Sequence, residues 1–331
     1  MTFQVFQVDG NVVLEPFEEE RAVLRAAGGD LVFGACTTQD EIVERAGTPD
    51  VLWLNWKPNI GRQVLEALPS VRLAVRWGVG FEQIDVDAAT DLGVAVANAP
   101  GYGTDDVAEV AFALLLSVAR RTAAHNARMV AGEWPISTPG SIHRLRGRTL
   151  GLIGTGRIGT AVAGIAAGFG MRVIGYDPGR TVQELAAAGI EGVDMDTLLA
   201  QSDCLSLHVP YMPSTHHLVN AALLAKLKPG AILVNTARGL VVDTNALIDA
   251  LASSHLAGAG LDVYEQEPLP AGSPLRSAPN VVMTPHVGGY SVEAFLDLRR
   301  EMCRTTIDFM TTGWAGTIVN PAVRDHLWAA V

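Results

Sequence analysis

In the N-terminal third of the chain, short apolar runs alternate with amphipathic ones. Residues 4–8, 31–36, 51–56, 71–77 and 94–97 are short and rich in β-branched and aromatic side chains, and 18–27 and 39–46 read as helices between them. Parallel strands need a long, usually helical, crossover, so this alternation predicts a small doubly wound α/β domain. Residues 104–121 (TDDVAEVAFALLLSVARR) read as one long helix. Thr104 can cap it, Asp105, Asp106 and Glu109 suit the positive end of its dipole, and Arg120 and Arg121 suit the negative end. Its middle is apolar nearly all round, which predicts burial. Residues 134–148, with Pro135, Pro139 and Gly140, read as an irregular arm.

A second α/β series starts at Thr149. Strands are predicted at 149–154, 172–176, 204–208, 231–235, 258–262 and 281–284, a helix at 157–168, and a closing helix at 296–310. There is no internal repeat and no low-complexity tail. The expected fold is therefore α/β, with two doubly wound parallel-sheet domains.

Composition agrees. At about 150 residues per domain, 331 residues suggest two. With 49% hydrophobic and 18% charged residues the chain can bury a large core, which excludes a disordered or disulfide-stapled protein. The formal charge of −11 gives a surface that repels phosphate backbones and anionic lipid, so neither nucleic acid nor membrane is the expected partner. An anionic small molecule is still allowed, because a single buried Arg can bind one against the global field. Cys36, Cys204 and Cys303 are odd in number, widely spaced and outside any CxxC, which fits packing roles in a reducing compartment. The first residues lack a basic segment followed by an apolar stretch, so no signal peptide is expected. The longest apolar helical run, 110–119, is about half of what a bilayer needs. The expectation is a soluble, cytoplasmic protein.

The most informative segment is GLIGTGRIG at 151–159. Gly154, Gly156 and Gly159 form G-x-G-x-x-G between a strand and a helix, and Asp177 ends the next strand 18 residues beyond Gly159. One glycine permits the tight turn, the second lets backbone approach a pyrophosphate, and the third lets helix and strand pack closely. The helix N-terminus then offers its N–H groups to the anion. Asp177 can accept hydrogen bonds from adenosine ribose hydroxyls and would oppose a 2′-phosphate, so NAD is expected over NADP. Arg180 would soften that preference if it swung over the ribose. No G-K-[ST] follows, which excludes a kinase-type phosphate loop.

Four polar residues fall at strand ends on the C-terminal side of the second series, where a doubly wound sheet places its ligand crevice: Arg238, Asp262, Glu267 and His286. Arg238 suits a substrate carboxylate, gripped by a planar fork. His286 suits proton transfer, and Glu267 could hold the far ring nitrogen. Each residue taken alone is as easily a surface ion-pair partner or a turn residue; the case rests on their joint occurrence behind the phosphate loop.

Longer segments carry a resemblance: VGFEQIDVDAATDLGVAVAN (79–98), DDVAEVAFALLLSVARR (105–121), LGLIGTGRIGTAVA (150–163), LHVP (207–210), LKPGAILVNTARGLVVD (227–243), GAGLDVYEQEPL (258–269) and PNVVMTPHVGGYS (279–291). From about residue 50 to residue 310 the chain resembles the D-isomer-specific 2-hydroxyacid dehydrogenases, and DDVAE is similar to the subgroup of the C-terminal-binding-protein corepressors. The resemblance implies a flavodoxin-like substrate-binding domain at 1–99 and 290–331 and a Rossmann NAD-binding domain at 100–289, with the catalytic cleft between them. It implies that Arg238 orients the substrate and that Glu267 and His286 form the acid/base pair. Thr104, Gly154, Gly156, Arg157, Ile158, Gly159, Asp177, Pro210, Thr215, Thr236, Asp262 and Gly288 match cofactor positions. Lys57, Val79 and Gly80 match substrate positions. A homodimer built through the helix from Thr104 and the arm near Trp134 is also implied, as is a small 2-keto or 2-hydroxy acid as the partner molecule.

The sequence departs from the family pattern in places. Ser254-His255 replaces the usual Ser-Gly, and His255 reads as a surface residue at a helix end. Tyr211-Met212 stands where Leu-Thr is commoner. The adjacent His216 and His217 resemble a metal site but have no third ligand in view, so no metal is expected. Trp56, Trp77 and Tyr290 are candidates for pocket walls, the two tryptophans equally for core. An NADH-sensing, corepressor-like protein with little turnover is the alternative function. Formate oxidation is disfavoured, because that branch pairs its His with Gln and this chain offers Glu267.

Overall fold

The structure, a computed structural model, describes residues 2–10, 17–134 and 141–327. The chain divides into two compact units, one of residues 1–103 with 291–331 and the other of residues 104–290.

In the first unit β1 (Phe3–Gln7), β2 (Gly29–Phe33), β3 (Val51–Leu54), β4 (Leu73–Arg76) and β5 (Ala95–Ala97) form one sheet in the order β2-β1-β3-β4-β5. Every pairing is parallel. This is the flavodoxin-like order. Helices α1 (Glu18–Ala26), α2 (Gln39–Arg45), α3 (Arg62–Ala67) and α4 (Val86–Asp91) make the crossovers. β3 and β4 are buried at every position, because a parallel sheet is covered on both faces and its strands cannot alternate apolar with polar. The five expected strands and the helices expected at 18–27 and 39–46 lie within two or three residues of those observed, whereas α3 and α4 are additional.

The second unit begins with α5 (Thr104–Arg120) and α6 (Thr122–Val130). The single helix expected over 104–121 stops one residue early. Arg121 takes a left-handed conformation (φ 53°), which ends α5, and a second helix follows. α5 buries Ala108, Ala111, Phe112, Leu114, Leu115 and Val118, one face rather than the whole circumference. Among the described residues α6 buries no side chain, and Met129, Val130 and Trp134 are exposed. The remainder of the expected arm, 135–140, lies outside the described residues.

Next come β6 (Thr149–Ile153), α7 (Arg157–Gly168), β7 (Arg172–Tyr176), α8 (Val182–Ala187), β8 (Glu191–Gly192), α9 (Met195–Gln201), β9 (Cys204–Leu207), α10 (Ala221–Leu224), β10 (Ala231–Asn235), α11 (Thr244–Ala252), β11 (Leu256–Leu261) and β12 (Val281–Met283). The seven strands run β12-β11-β10-β9-β6-β7-β8, all parallel. The order reverses between β6 and β9, the switch point at which Rossmann sheets bind ligands. Apolar clusters cover both faces of this sheet, α5 and α7 on one and α10 and α11 on the other.

The chain then returns to the first unit through α12 (Val292–Thr312) and ends in the short α13 (Arg324–Leu327). α12 is longer than the expected 296–310. The Ser291 hydroxyl caps it by accepting from Ala294 N, and Gly313 (φ 78°) closes it. Its inner face carries Arg299, whose Nε donates to Glu20 Oε1 of α1 at 2.7 Å in a buried ion pair stacked on Phe17.

Candidate active site

The phosphate loop joins β6 to α7. Gly154 has φ +87°, and a Cβ there would sit 2.5 Å from His208 O; one on Gly159 would sit 2.4 Å from Gly154 O. Both glycines are required by the protein's own packing. Gly156, the residue before α7, differs: no atom of the described residues lies within 4 Å of where its Cβ would be. That side faces open space beside the start of α7.

Asp177 follows β7. Its Oδ2 accepts from Thr155 N (2.8 Å) and Thr155 Oγ1 (3.0 Å), and its Oδ1 accepts from Gly179 N (3.0 Å). Burial raises its pKa, but these bonds and the Arg180 charge take it below the ordinary value, so it is a carboxylate. Arg180 itself donates to Thr155 O, to Thr160 Oγ1 (3.2 Å) and to Glu184 O (3.1 Å). It is thus tied to the loop and to α8.

Thr104 is the first residue of α5 and Arg157 of α7, while Ile158 packs into the core beneath the loop. Pro210 is exposed. The Thr215 hydroxyl donates to Pro210 O at 2.8 Å and accepts from Met212 N at 2.8 Å, so it closes its own turn. Thr236 is buried, and its Oγ1 meets no hydrogen-bond partner among the described residues. An orphaned hydroxyl, an open glycine at a helix N-terminus and an anchored ribose-side carboxylate together fit a dinucleotide. His208, which motif reading passed over, backs the loop; its ring bonds Ser206 Oγ at 2.9 Å, and burial pushes its pKa down to about 4, so it is neutral.

Arg238 sits on the turn after β10. The turn is set by Asn235, buried, whose Nδ2 donates to Arg238 O (3.0 Å) and whose Oδ1 accepts from Ala237 N (3.0 Å). Arg238 Nη1 donates to Ala237 O at 2.7 Å. Glu267 and His286 come from the segments after β11 and β12. His286 Nδ1 and Glu267 Oε2 are 2.7 Å apart, and Tyr264 N donates to Glu267 Oε1 at 2.9 Å. Burial raises the Glu267 pKa, but the His286 hydrogen bond and charge, the Tyr264 amide and the Arg238 charge together bring it below the ordinary range. The three residues therefore share one neighbourhood, with Glu267 ionised.

Asp262 is almost fully buried. Its Oδ1 accepts from Thr284 Oγ1 (2.5 Å) and Val287 N (2.9 Å), and its Oδ2 from Gly288 N (2.8 Å). His286 N also donates to Asp262 O at 2.8 Å. This carboxylate ties down the segment bearing His286, which itself has φ 56°. Tyr264 braces the same place: its hydroxyl lies 3.1 Å from Leu261 O and 2.9 Å from Thr284 O.

The expected substrate positions belong to the first unit. Lys57 is exposed after β3; Asp9, buried, holds that loop by accepting from Asn55 N (3.0 Å) and Trp56 N (2.6 Å). Val79 and Gly80 follow β4, where Asn98 Nδ2 donates to Val79 O at 2.6 Å. Trp77 is core, whereas Trp56 and Tyr290 are exposed. His255 is half-buried, with its ring 2.9 Å from Leu224 O. His216 and His217 stack at 4.1 Å, and no group of three metal-ligating side chains occurs among the described residues.

Comparisons with known proteins agree with this geometry. Residues 112–288 match a sequence model described as D-isomer specific 2-hydroxyacid dehydrogenase, NAD binding domain. The chain is 40% identical over 288 residues to a glyoxylate reductase of Thermococcus litoralis, covering 85% of this chain and 87% of that one. Among solved structures, a glyoxylate reductase from Paecilomyes thermophila superposes with a TM-score of 0.87 at 31% identity, over 96% of this chain and 98% of that one. D-Lactate dehydrogenase from Aquifex aeolicus, complexed with NAD and lactic acid, gives a TM-score of 0.81 at 28% identity, over 96% and 99%.

Proposed function

The chain belongs to the D-isomer specific 2-hydroxyacid dehydrogenases and interconverts 2-keto and 2-hydroxy acids with NAD, and from that premise we propose how its own residues perform the reaction. Arg238 orients the substrate through its carboxylate, using two guanidinium N–H groups as a fork. His286 and Glu267 are the acid/base pair. Nδ1 is committed to Glu267, so the proton moves at Nε2: onto the carbonyl oxygen in keto-acid reduction, off the hydroxyl in the reverse direction. The Glu267 carboxylate fixes the ring and offsets the charge of the imidazolium.

When bound, NAD supplies or accepts the hydride. Gly154, Gly156, Arg157, Ile158 and Gly159 would hold its phosphates, Asp177 its adenosine ribose, and Thr104, Pro210, Thr215, Thr236, Asp262 and Gly288 the remainder. Lys57, Val79 and Gly80 are proposed as substrate contacts on the family resemblance. Glyoxylate, whose product is achiral, and hydroxypyruvate are the first substrates to test, and the product from hydroxypyruvate is the (R)-2-hydroxy acid.

The observation that carries this reading is the 2.7 Å contact between His286 Nδ1 and Glu267 Oε2, in reach of the Arg238 charge. Its test is His286→Asn, because Asn tolerates the left-handed backbone at this position and leaves only the chemistry altered. Turnover of NADH with glyoxylate falls by about 10²–10⁴-fold. An unchanged rate refutes the assignment.

A homodimer and a cytoplasmic location complete the proposal. Among the described residues α6 buries no side chain, and a short isolated helix is marginal in water, so a second copy supplies its cover. Light scattering of Trp134→Glu against the parent protein tests this. The three cysteines are free and buried, and no helix among the described residues is long and apolar enough to cross a membrane.

A further inference from the structure

The proposed acid/base carboxylate has a near neighbour in sequence that meets different partners. Glu265 lies two residues before Glu267, and its Oε1 accepts from Thr244 N, the first amide of α11, at 2.7 Å. Its Oε2 stands 3.4 Å from His217 Nε2. That ring nitrogen is buried and makes no aligned hydrogen bond among the described residues; the Glu265 carboxylate is the charge it faces. The chain therefore carries two His–Glu pairs, His286–Glu267 and His217–Glu265, whose carboxylates stand two residues apart on the bent segment after β11.

The second pair sits on the seam between the Arg238 turn and the Glu267 segment. Residues after Arg238 are stitched to the strip that begins at His217: His217 N donates to Leu240 O at 2.9 Å, Val219 N to Val241 O at 3.0 Å, and Asp243 N to Val219 O at 3.0 Å. On their other side they press against the Glu267 segment. A Cβ on Gly239 would lie 1.9 Å from Tyr264 C and 2.4 Å from Glu265 N, so only glycine permits the approach. Two backbones meet there without a hydrogen-bonded ladder, and Glu265 is the side chain that crosses the seam.

His217 adds a second sign of constraint. It has φ 47°, the left-handed region that non-glycine residues enter at a cost and keep only when the surroundings hold them. His216 stacks on its ring, and Tyr211 Oη reaches His216 Nδ1 at 3.4 Å. Burial raises the Glu265 pKa, but Thr244 and His217 bring it below the ordinary value, so the clamp is anionic.

We propose that Glu265 and His217 are positioning residues that lock the turn bearing Arg238 to the segment bearing Glu267, so that the substrate carboxylate and the acid/base pair keep one register. The inference rests on the roles proposed above for Arg238, Glu267 and His286. A carboxylate gripped an ångström out of place relative to the proton donor costs rate steeply, up to about 100-fold.

The experiment uses the full chain with NADH and glyoxylate and three variants: Glu265→Ala, Glu265→Gln and His217→Ala. NADH affinity is read by fluorescence and folding by Tm. In Glu265→Ala, KM for glyoxylate rises and kcat falls, each by about 10-fold, while NADH affinity stays within about twofold. Glu265→Gln keeps an acceptor for Thr244 N and recovers most of kcat. His217→Ala shifts kcat and KM in the same direction as Glu265→Ala, and serves alone if that variant does not fold. Folded variants with parental kcat and KM overturn the proposal, as does a loss of NADH affinity that accounts for the whole effect. His286→Asn is run alongside: full activity there counts against the site assignment itself, whereas an inactive His286→Asn beside normal clamp variants counts against the clamp alone.

Discussion

Replacing Gly156 with Ala separates ligand binding from folding. The residue has φ −62° and ψ −157°, an extended conformation open to any L residue, and its added methyl meets no atom of the described residues within 4 Å. Folding therefore loses nothing, and reduced freedom in the unfolded chain stabilises by about 0.4–1 kcal/mol. On the proposed placement of the dinucleotide, the methyl occupies the side from which a pyrophosphate approaches the α7 amides. Pushing the phosphate outward removes one charge-assisted hydrogen bond, worth about 1.5–3 kcal/mol, which is a loss of about 10- to 100-fold in NADH affinity. Gly154→Ala is the control. At φ +87°, with His208 O 2.5 Å from the new Cβ, it combines left-handed strain of about 1–2 kcal/mol with overpacking of about 1–3 kcal/mol, so it lowers Tm. NADH fluorescence titration and thermal melts read the two effects. A Gly156→Ala protein that binds NADH like the parent would refute the placement of the dinucleotide.

Four further outcomes are expected. Arg238→Lys keeps the charge but loses the fork, and raises KM for glyoxylate by about 10-fold or more, measured by steady-state kinetics. Asp177→Ala removes the ribose-side carboxylate and narrows the ratio of NADPH to NADH dissociation constants by at least about tenfold, read by titration with both. Glu20→Gln removes one charge of the buried Glu20–Arg299 ion pair and costs about 3–5 kcal/mol in urea unfolding, whereas Glu20→Leu with Arg299→Met recovers most of it. Glu267 has a folded pKa below its unfolded value, so its stabilising contribution is complete above about pH 4.3 and is lost as pH falls through the folded value. The Tm gap between the parent and Glu267→Gln should close below that pH; a gap that widens there contradicts the sign.

Most of the frame was legible because parallel strands buried on both faces leave unbroken apolar runs, as in β3 and β10. The break at Arg121 was not, since an arginine can end a helix or continue one and only the left-handed backbone decides. β8 has two residues and leaves no pattern. At the candidate site, Arg238, Glu267 and His286 stood out as residue types suited to the chemistry. Asn235, Tyr264 and Glu265 did not, and His217 did so only as half of a metal-like pair, because their contacts join segments far apart in sequence. The Glu20–Arg299 pair was invisible for the same reason: its partners are 279 positions apart, and nothing local marks either one.

That separation bears on how the chain is made. Synthesis delivers residues 104–290 as an uninterrupted block, free to fold once it has emerged. The N-terminal sheet has no such independence. Until α12 is translated, Glu20 has no guanidinium, Trp53 Nε1 lacks the Thr306 hydroxyl 253 positions downstream, and apolar surface meant for Leu298, Met302 and Phe309 stays open to solvent. The sheet of residues 1–103 therefore leaves the ribosome before the 104–290 block and is completed after it, with its apolar face exposed through that wait.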